Sequence, residues 1–154
     1  MQHARNRRFA SLAAAGLALF ALASTSAMAQ QGASTSGLGQ AWPNAIDVSA
    51  SPRWHVYVFE RDGIRYVQIN DLGGKVRAAF ARSNGSFLAL PVGVDAQRLA
   101  TPQEPLAATT QAGEIVYRDA TTTVLVSPQP DGTARVYAAD GDCKDPIECS
   151  SRGQ

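Results

Sequence analysis

Two runs rich in β-branched and aromatic residues, Arg53 to Glu60 (RWHVYVFE) and Ile64 to Asn70 (IRYVQIN), flank the dipeptide Asp62-Gly63. A D-G pair between such runs is the strongest short-range hairpin signal, because the tight turn that matches strand twist needs positive φ at both central residues. A two-residue turn also dictates register. It pairs Glu60 with Arg65, Phe59 with Tyr66, Val58 with Val67, Tyr57 with Gln68, Val56 with Ile69 and His55 with Asn70. One face of the hairpin then carries Val56, Val58, Val67 and Ile69, closed at its end by Glu60 and Arg65. The other carries His55, Tyr57, Phe59, Tyr66, Gln68 and Asn70.

Turn signals continue along the chain. Asp71-Leu72-Gly73-Gly74 leads into a third expected strand, Val76 to Arg82, and Asn84-Gly85 into a fourth, Phe87 to Val92. Residues 93–113 hold Pro102, Pro105 and a short helical turn at Asp95 to Leu99, and read as a crossover loop. Strands resume at Glu114 to Arg118, Thr121 to Ser127 and, after Pro130-Asp131-Gly132, Thr133 to Ala138. This pattern predicts an all-β fold: a single small antiparallel sandwich or barrel of about seven strands, beginning with a four-strand meander.

The N-terminus reads as an export signal. Arg5, Arg7 and Arg8 precede an uncharged run from Leu12 to Ala23, and Ala27-Met28-Ala29 supplies the small-x-small site for cleavage before Gln30. The run is short and Ala-rich for a spanning helix, which needs roughly 20 strongly apolar residues. The expected organisation is therefore a signal peptide (1–29), a flexible Gly/Ser-rich tail (30–41), a β domain (42–140) and a C-terminal disulfide loop and tail (141–154). No cysteine sits at the cleavage point to carry a lipid, and no membrane span is expected after cleavage. Cleavage removes three arginines and no acid, taking the net charge of +1 to 1 − 3 = −2. Such a chain offers no basic surface for nucleic acid.

Cys143 and Cys149 lie in the segment GDCKDPIECSS, and an even cysteine count in an exported chain implies a disulfide. Closure of so short a ring is worth roughly 2 kcal/mol in the chain-entropy model. The loop Cys143-Lys144-Asp145-Pro146-Ile147-Glu148-Cys149 is similar, over seven residues, to the Cys-Lys-to-Cys loops of one family of periplasmic lysozyme inhibitors. It departs from them in being one residue longer, in lacking their histidine and in standing at the C-terminus.

No nucleophile elbow, paired metal-binding histidines or Gly-rich phosphate loop is present, and His55 is the single histidine beyond the cleavage site. No catalytic, cofactor or metal site is expected. The expected function is that of a periplasmic or secreted non-enzymatic binding module with a protein partner in the cell envelope, one form being an inhibitor of an envelope-acting enzyme. Candidate partner-binding residues are His55, Tyr57, Phe59, Tyr66, Gln68 and Asn70, because aromatic rings with polar tips give rigid contact at low entropic cost, together with Lys144 in the disulfide loop. The alternative for the hairpin residues is that a second layer covers them. Alternative functions are an accessory subunit lending a sheet edge to an envelope assembly and, behind it, a hydrolase built from carboxylates. Mass spectrometry of the exported form should find the N-terminus at Gln30; a chain that still begins at Met1 would overturn the signal-peptide reading.

Overall fold

Asp62 and Gly63 take φ of 53° and 76°, and Asn84 and Gly85 take 49° and 79°, so both two-residue turns adopt the positive-φ geometry that their sequences favour. Around them the computed structural model, which describes residues 35–151, builds an antiparallel meander. It comprises β1 (Trp54–Arg61), β2 (Ile64–Asp71), β3 (Val76–Ser83) and β4 (Ser86–Ala89), in the order β1-β2-β3-β4. The β1–β2 register is the one dictated by the turn, from His55 opposite Asn70 to Glu60 opposite Arg65. The expected export signal and its cleavage point lie outside the described residues. Among the described residues no helix is long and apolar enough to cross a membrane.

The second sheet is built from β5 (Leu99–Ala100), β6 (Glu114–Arg118), β7 (Thr122–Pro128) and β8 (Ala134–Asp140), in the order β5-β8-β7-β6. The crossover between the sheets carries a 3-10 turn at Ala96–Arg98, where a helical turn was expected. It also contributes β5, which pairs parallel with β8 through Leu99 opposite Val136 and Ala100 opposite Tyr137. Two residues are too few to show a period of two, so β5 left no pattern in the sequence. Chain reversal through Asp119–Thr121 joins β6 to β7, and Asp119 accepts N–H bonds from Thr121 and Thr122 there.

The two sheets share one apolar core. Val56, Val67, Ile69, Ala78 and Phe80 from the first sheet join Val116, Val124, Val126, Val136 and Ala138 from the second in a single buried cluster. Alternation along each strand puts these side chains on one face, as period-two geometry requires. The opposite face of the second sheet buries Ala100, Leu125 and Tyr137 under Leu106, Ile115 and Ile147. Ile147 belongs to α1 (Pro146–Cys149), which Asp145 caps by accepting the Ile147 N–H. The Cys143–Cys149 disulfide encloses this turn, and the Ser150 hydroxyl donates to the Ala138 carbonyl just beyond it. The ring therefore holds a covering element against β7 and β8 rather than a free tail.

Polar bridges tie the sheets together at their margins. Arg77 of β3 pairs with the buried Asp95 at 2.6 Å and donates to the Gly132 carbonyl; Asp95 in turn accepts the Ala134 N–H. Arg82 of β3 reaches Asp140 of β8 at 2.8 Å with its guanidinium over the Phe87 ring. On the other side of the sandwich the Trp54 indole N–H donates to Glu114 of β6 at 2.8 Å, and Ser51 and Arg53 bond the second oxygen of that carboxylate.

Because Val67 is fully buried at the centre of the shared core, Val67→Asp should abolish soluble expression. An unpaired buried carboxylate costs several kcal/mol or is forced to protonate, and a domain of this size holds only about 5–15 kcal/mol of stability. Val58, opposite it, is only partly buried, so Val58→Asp should leave a folded fraction with a lowered melting temperature, read by circular dichroism.

Candidate functional site

The outer face of the first sheet brings His55, Tyr57, Phe59, Tyr66, Gln68 and Asn70 together, as strand alternation requires. It does not leave them open. Gln68 and Asn70 are fully buried, Tyr57 and Phe59 nearly so, and His55 and Tyr66 partly. Of the two readings of these six residues, an open recognition face and a face covered by a second layer, the second holds: a layer covers them. Lys144 is exposed on the disulfide loop that packs on the second sheet, and does not join this group.

The cover is the segment 36–48, part of which the sequence reading assigned to a flexible tail (30–41). Ser36 and Asn44 exchange backbone hydrogen bonds of 3.2 and 3.0 Å, closing residues 36–44 into a loop. Gly37 and Gly39 supply the positive φ that the loop needs, at 98° and 88°. Its backbone then lies on two side-chain amides. The Gly39 N–H donates to Gln68 Oε1 at 2.6 Å, Gln68 Nε2 donates to the Gln40 carbonyl at 2.8 Å, and Asn70 Nδ2 donates to the Ala41 carbonyl at 2.8 Å. Gln68 Nε2 also donates to Asn70 Oδ1 at 2.9 Å, which holds the two amides in one network. Burial of polar side chains is tolerable only with such partners.

Farther along, the segment runs beside the free edge of β1. Asp47 pairs with Tyr57 in an antiparallel bridge, and the Val48 N–H donates to the Val56 carbonyl at 2.8 Å. The Asp47 carboxylate accepts the Val56 N–H at 2.9 Å through one oxygen and faces His55 Nδ1 at 2.7 Å through the other. Burial opposes ionisation of Asp47, but the hydrogen bonds from His55, Val56 and Ser49 outweigh it and lower its pKa. Thus His55 does have a carboxylate partner, which sequence separation did not advertise. Among the described residues no hydroxyl or thiol is hydrogen-bonded to the ring, and Trp42 meets it edge-on at 5.4 Å. The Asp47–His55 pair acts as a clamp on the segment that covers the sheet.

The outside of this cover is apolar. Trp42 is 60% exposed, Ile46 81% and Leu72 57%; Leu38 and Val48 are also exposed. Trp42 rests on the β2–β3 turn, where a Cβ added at Gly74 would lie 2.7 Å from the indole, so glycine is what admits the ring. The sequence reading missed Trp42, Ile46 and Asp47 as site residues. Their only signal was a change in character at Trp42, after an uncharged Gly/Ser-rich stretch.

A second cluster stands at the hairpin end of the sandwich, beside a cavity of about 350 Å³ that Arg61, Arg65, Arg82 and Thr121 help to line. Arg65 bonds Glu60 at 2.8 Å and Asp119 at 2.5 Å, and the Tyr117 hydroxyl donates to the same Asp119 oxygen at 2.6 Å. Burial works against ionisation of Asp119, yet hydrogen bonds from Tyr117, Thr121 and Thr122 bring its pKa down to about 2. Burial, reinforced by the Asp119 charge, pushes the Tyr117 phenol up to about 12. Both oxygens of Asp119 and one of Glu60 are occupied, which suits a bridge between β2 and the β6–β7 corner. Among the described residues no group of three or more His, Cys, Asp and Glu side chains is placed to hold a metal ion. No family model matches this chain, and no curated protein or solved structure matches it.

The pKa shifts set a pH window. Asp119 binds its proton more weakly in the fold than in the unfolded chain, so its contribution is present above pH 4 and fades as pH falls from about 4 to 2. Tyr117 binds its proton more tightly in the fold, so its contribution holds below pH 10 and fades as pH rises toward 12. Asp119→Asn should lower unfolding free energy by on the order of 2 kcal/mol at pH 7 and by much less near pH 2. Urea melts at the two pH values check this, and an equal loss at both would refute it.

Proposed function

We propose that the domain is an exported, non-enzymatic binding module that captures a protein partner of the cell envelope, an inhibitor of an envelope-acting enzyme being one concrete form. The observation that carries this reading is the distribution of exposed apolar side chains. Among the described residues seven large hydrophobics are exposed, and five of them, Leu38, Trp42, Ile46, Val48 and Leu72, belong to the covering segment or to the turn on which Trp42 rests. Scattered surface hydrophobics are ordinary, whereas their concentration on one segment marks an interaction surface. Tryptophan is also the side chain most enriched at binding hot spots.

The chemistry of the neighbourhood supports binding rather than turnover. The histidine is engaged by Asp47, and the amides of Gln68 and Asn70 bond backbone groups. The disulfide suits an oxidising compartment such as the periplasm. The alternative of lending a sheet edge to an assembly is less well supported. Residues 47 and 48 occupy part of the β1 edge, and the Gln103 side chain accepts the Phe87 N–H of β4; such devices discourage strand addition.

Capture from a periplasmic extract on immobilised protein tests the reading. The double variant Ile46→Ser, Leu72→Ser should keep the melting temperature of the parent, because both side chains stand in solvent, and should lose at least tenfold in partner affinity. Unchanged capture by this variant would move the binding surface elsewhere.

A further inference from the structure

The covering loop is fastened in an uneven way. Of its large apolar side chains, Trp42 and Ile46 remain mostly in water, while Leu38 is nearly two-thirds buried. What holds residues 39–41 are four hydrogen bonds between their backbone and the amides of Gln68 and Asn70, three of 2.6–2.8 Å and one of 3.5 Å. A permanent cover would be served as well by an apolar floor, since paired buried polar groups can be exchanged for apolar ones at little cost. The Gln68 and Asn70 amides, which share the floor with Tyr57, Ala79 and Ala81, differ in one respect: they are satisfied both when covered by a peptide backbone and when opened to water. An apolar floor penalises opening by roughly its whole buried area.

The loop is also built to move as a unit. The Ser36–Asn44 pair closes it on itself, so lifting residues 37–42 leaves their internal turn, with the Gln40 N–H on the Gly37 carbonyl, intact. The Asp47 clamp lies beyond the loop, on β1, and is not broken by that movement. Beneath the loop, Ala79 stands opposite Gln68 and Ala81 opposite Tyr66 on neighbouring strands. Strand alternation places these small residues on the same outer face as the amides, which lets a main chain approach the sheet closely. Neither the loop from Thr35 to Ile46 nor the floor residues Tyr57, Tyr66, Gln68, Asn70, Ala79 and Ala81 carry formal charge.

We infer that residues 37–42 are an intramolecular ligand occupying a peptide-binding site, and that the partner presents an uncharged, glycine-containing turn that takes their place on the Gln68–Asn70 amides. The incoming main chain offers one N–H to Gln68 Oε1 and two successive carbonyls to Gln68 Nε2 and Asn70 Nδ2. Its glycine meets the positive φ that Gly39 adopts beside Val92. The inference deepens the binding-module reading: it gives the chemistry of the segment recognised and makes loop release the step that admits it.

The experiment uses the full exported domain and a synthetic peptide with the sequence of residues 35–44. Gly39→Ala is the diagnostic variant, because an added methyl clashes with nothing nearer than 3.7 Å but strains the φ of 88°, loosening the loop while leaving the floor untouched. In the unmodified protein the Gly39 amide should exchange with solvent at least a hundredfold faster than the Val67 amide of β2, and faster again in Gly39→Ala. The peptide should bind Gly39→Ala at least fivefold more tightly than the parent, because the left-handed conformation is unfavourable for an L-residue, with shifts at the side-chain amides of Gln68 and Asn70. Adding Gln68→Ala should abolish that binding. Exchange of Gly39 only through global unfolding, or equal peptide affinity for parent and Gly39→Ala, would overturn the inference. Capture that still depends on Ile46 and Leu72 would then leave the outer surface standing as the binding site without a displaceable loop.

Discussion

The contact between Val67, Ile69 and Phe80 on one sheet and Val124, Val126 and Val136 on the other organises the whole domain. These side chains are fully buried, and their removal from water supplies the main favourable term for folding. Because strand side chains alternate, placing one residue of a regular strand in this layer places its neighbours; the bulge in β6, which brings both Val116 and Tyr117 into the core, is the exception. Val67 inward sends Tyr66 and Gln68 outward; Val136 inward sends Tyr137 to the far side of the second sheet. The two outer faces are thus consequences of the inner one, and each had to be covered or left to water. Ile147 and Leu106 cover Tyr137, while residues 36–48 cover the hairpin.

The two covers differ in kind. On the second sheet the cover is apolar and reinforced, with Ile147 packed on the cluster and the disulfide closing the chain around it. On the first sheet the polar contact is made by main chain upon side-chain amides, and Trp42 and Ile46 of the cover stay largely in water. Apolar burial holds an element in place through the whole area it hides, whereas a hydrogen bond exchanged with water contributes about 1 kcal/mol net. The two faces therefore differ in how readily they open. That contrast ties the proposed function to the hairpin side of the molecule.

Charged bridges at the margins complete the assembly of the sheets. Arg65, Arg77 and Arg82 each reach from the first sheet to a carboxylate beyond it, Asp119, Asp95 and Asp140 respectively. None of these pairs is adjacent in sequence, and no pattern of charges along the chain announces them. The Asp47–His55 pair is closer, yet a spacing of eight residues across a reversal is no motif either. Such pairs follow from the packing of the core. They were invisible to a reading that pairs residues only within a hairpin.

The chain by itself determined what depends on local rules. D-G and N-G turns set the register of β1 with β2 and the reversal between β3 and β4 because few residues tolerate positive φ. Alternation then separated Val56, Val58, Val67 and Ile69 from Tyr57, Gln68 and Asn70, and two cysteines in one short segment made a ring. Tertiary structure decided the rest. The strand β5, two residues long, exists only because β8 is there to pair with it. The segment 36–44 is polar, glycine-rich and without period, so nothing local distinguishes it from a tail. It is ordered by amides nearly thirty residues away, which donate and accept where its backbone would otherwise meet water. Whether Gln68 and Asn70 face solvent or a backbone is a question of what lies across from them, and alternation within a strand carries no information about its opposite layer.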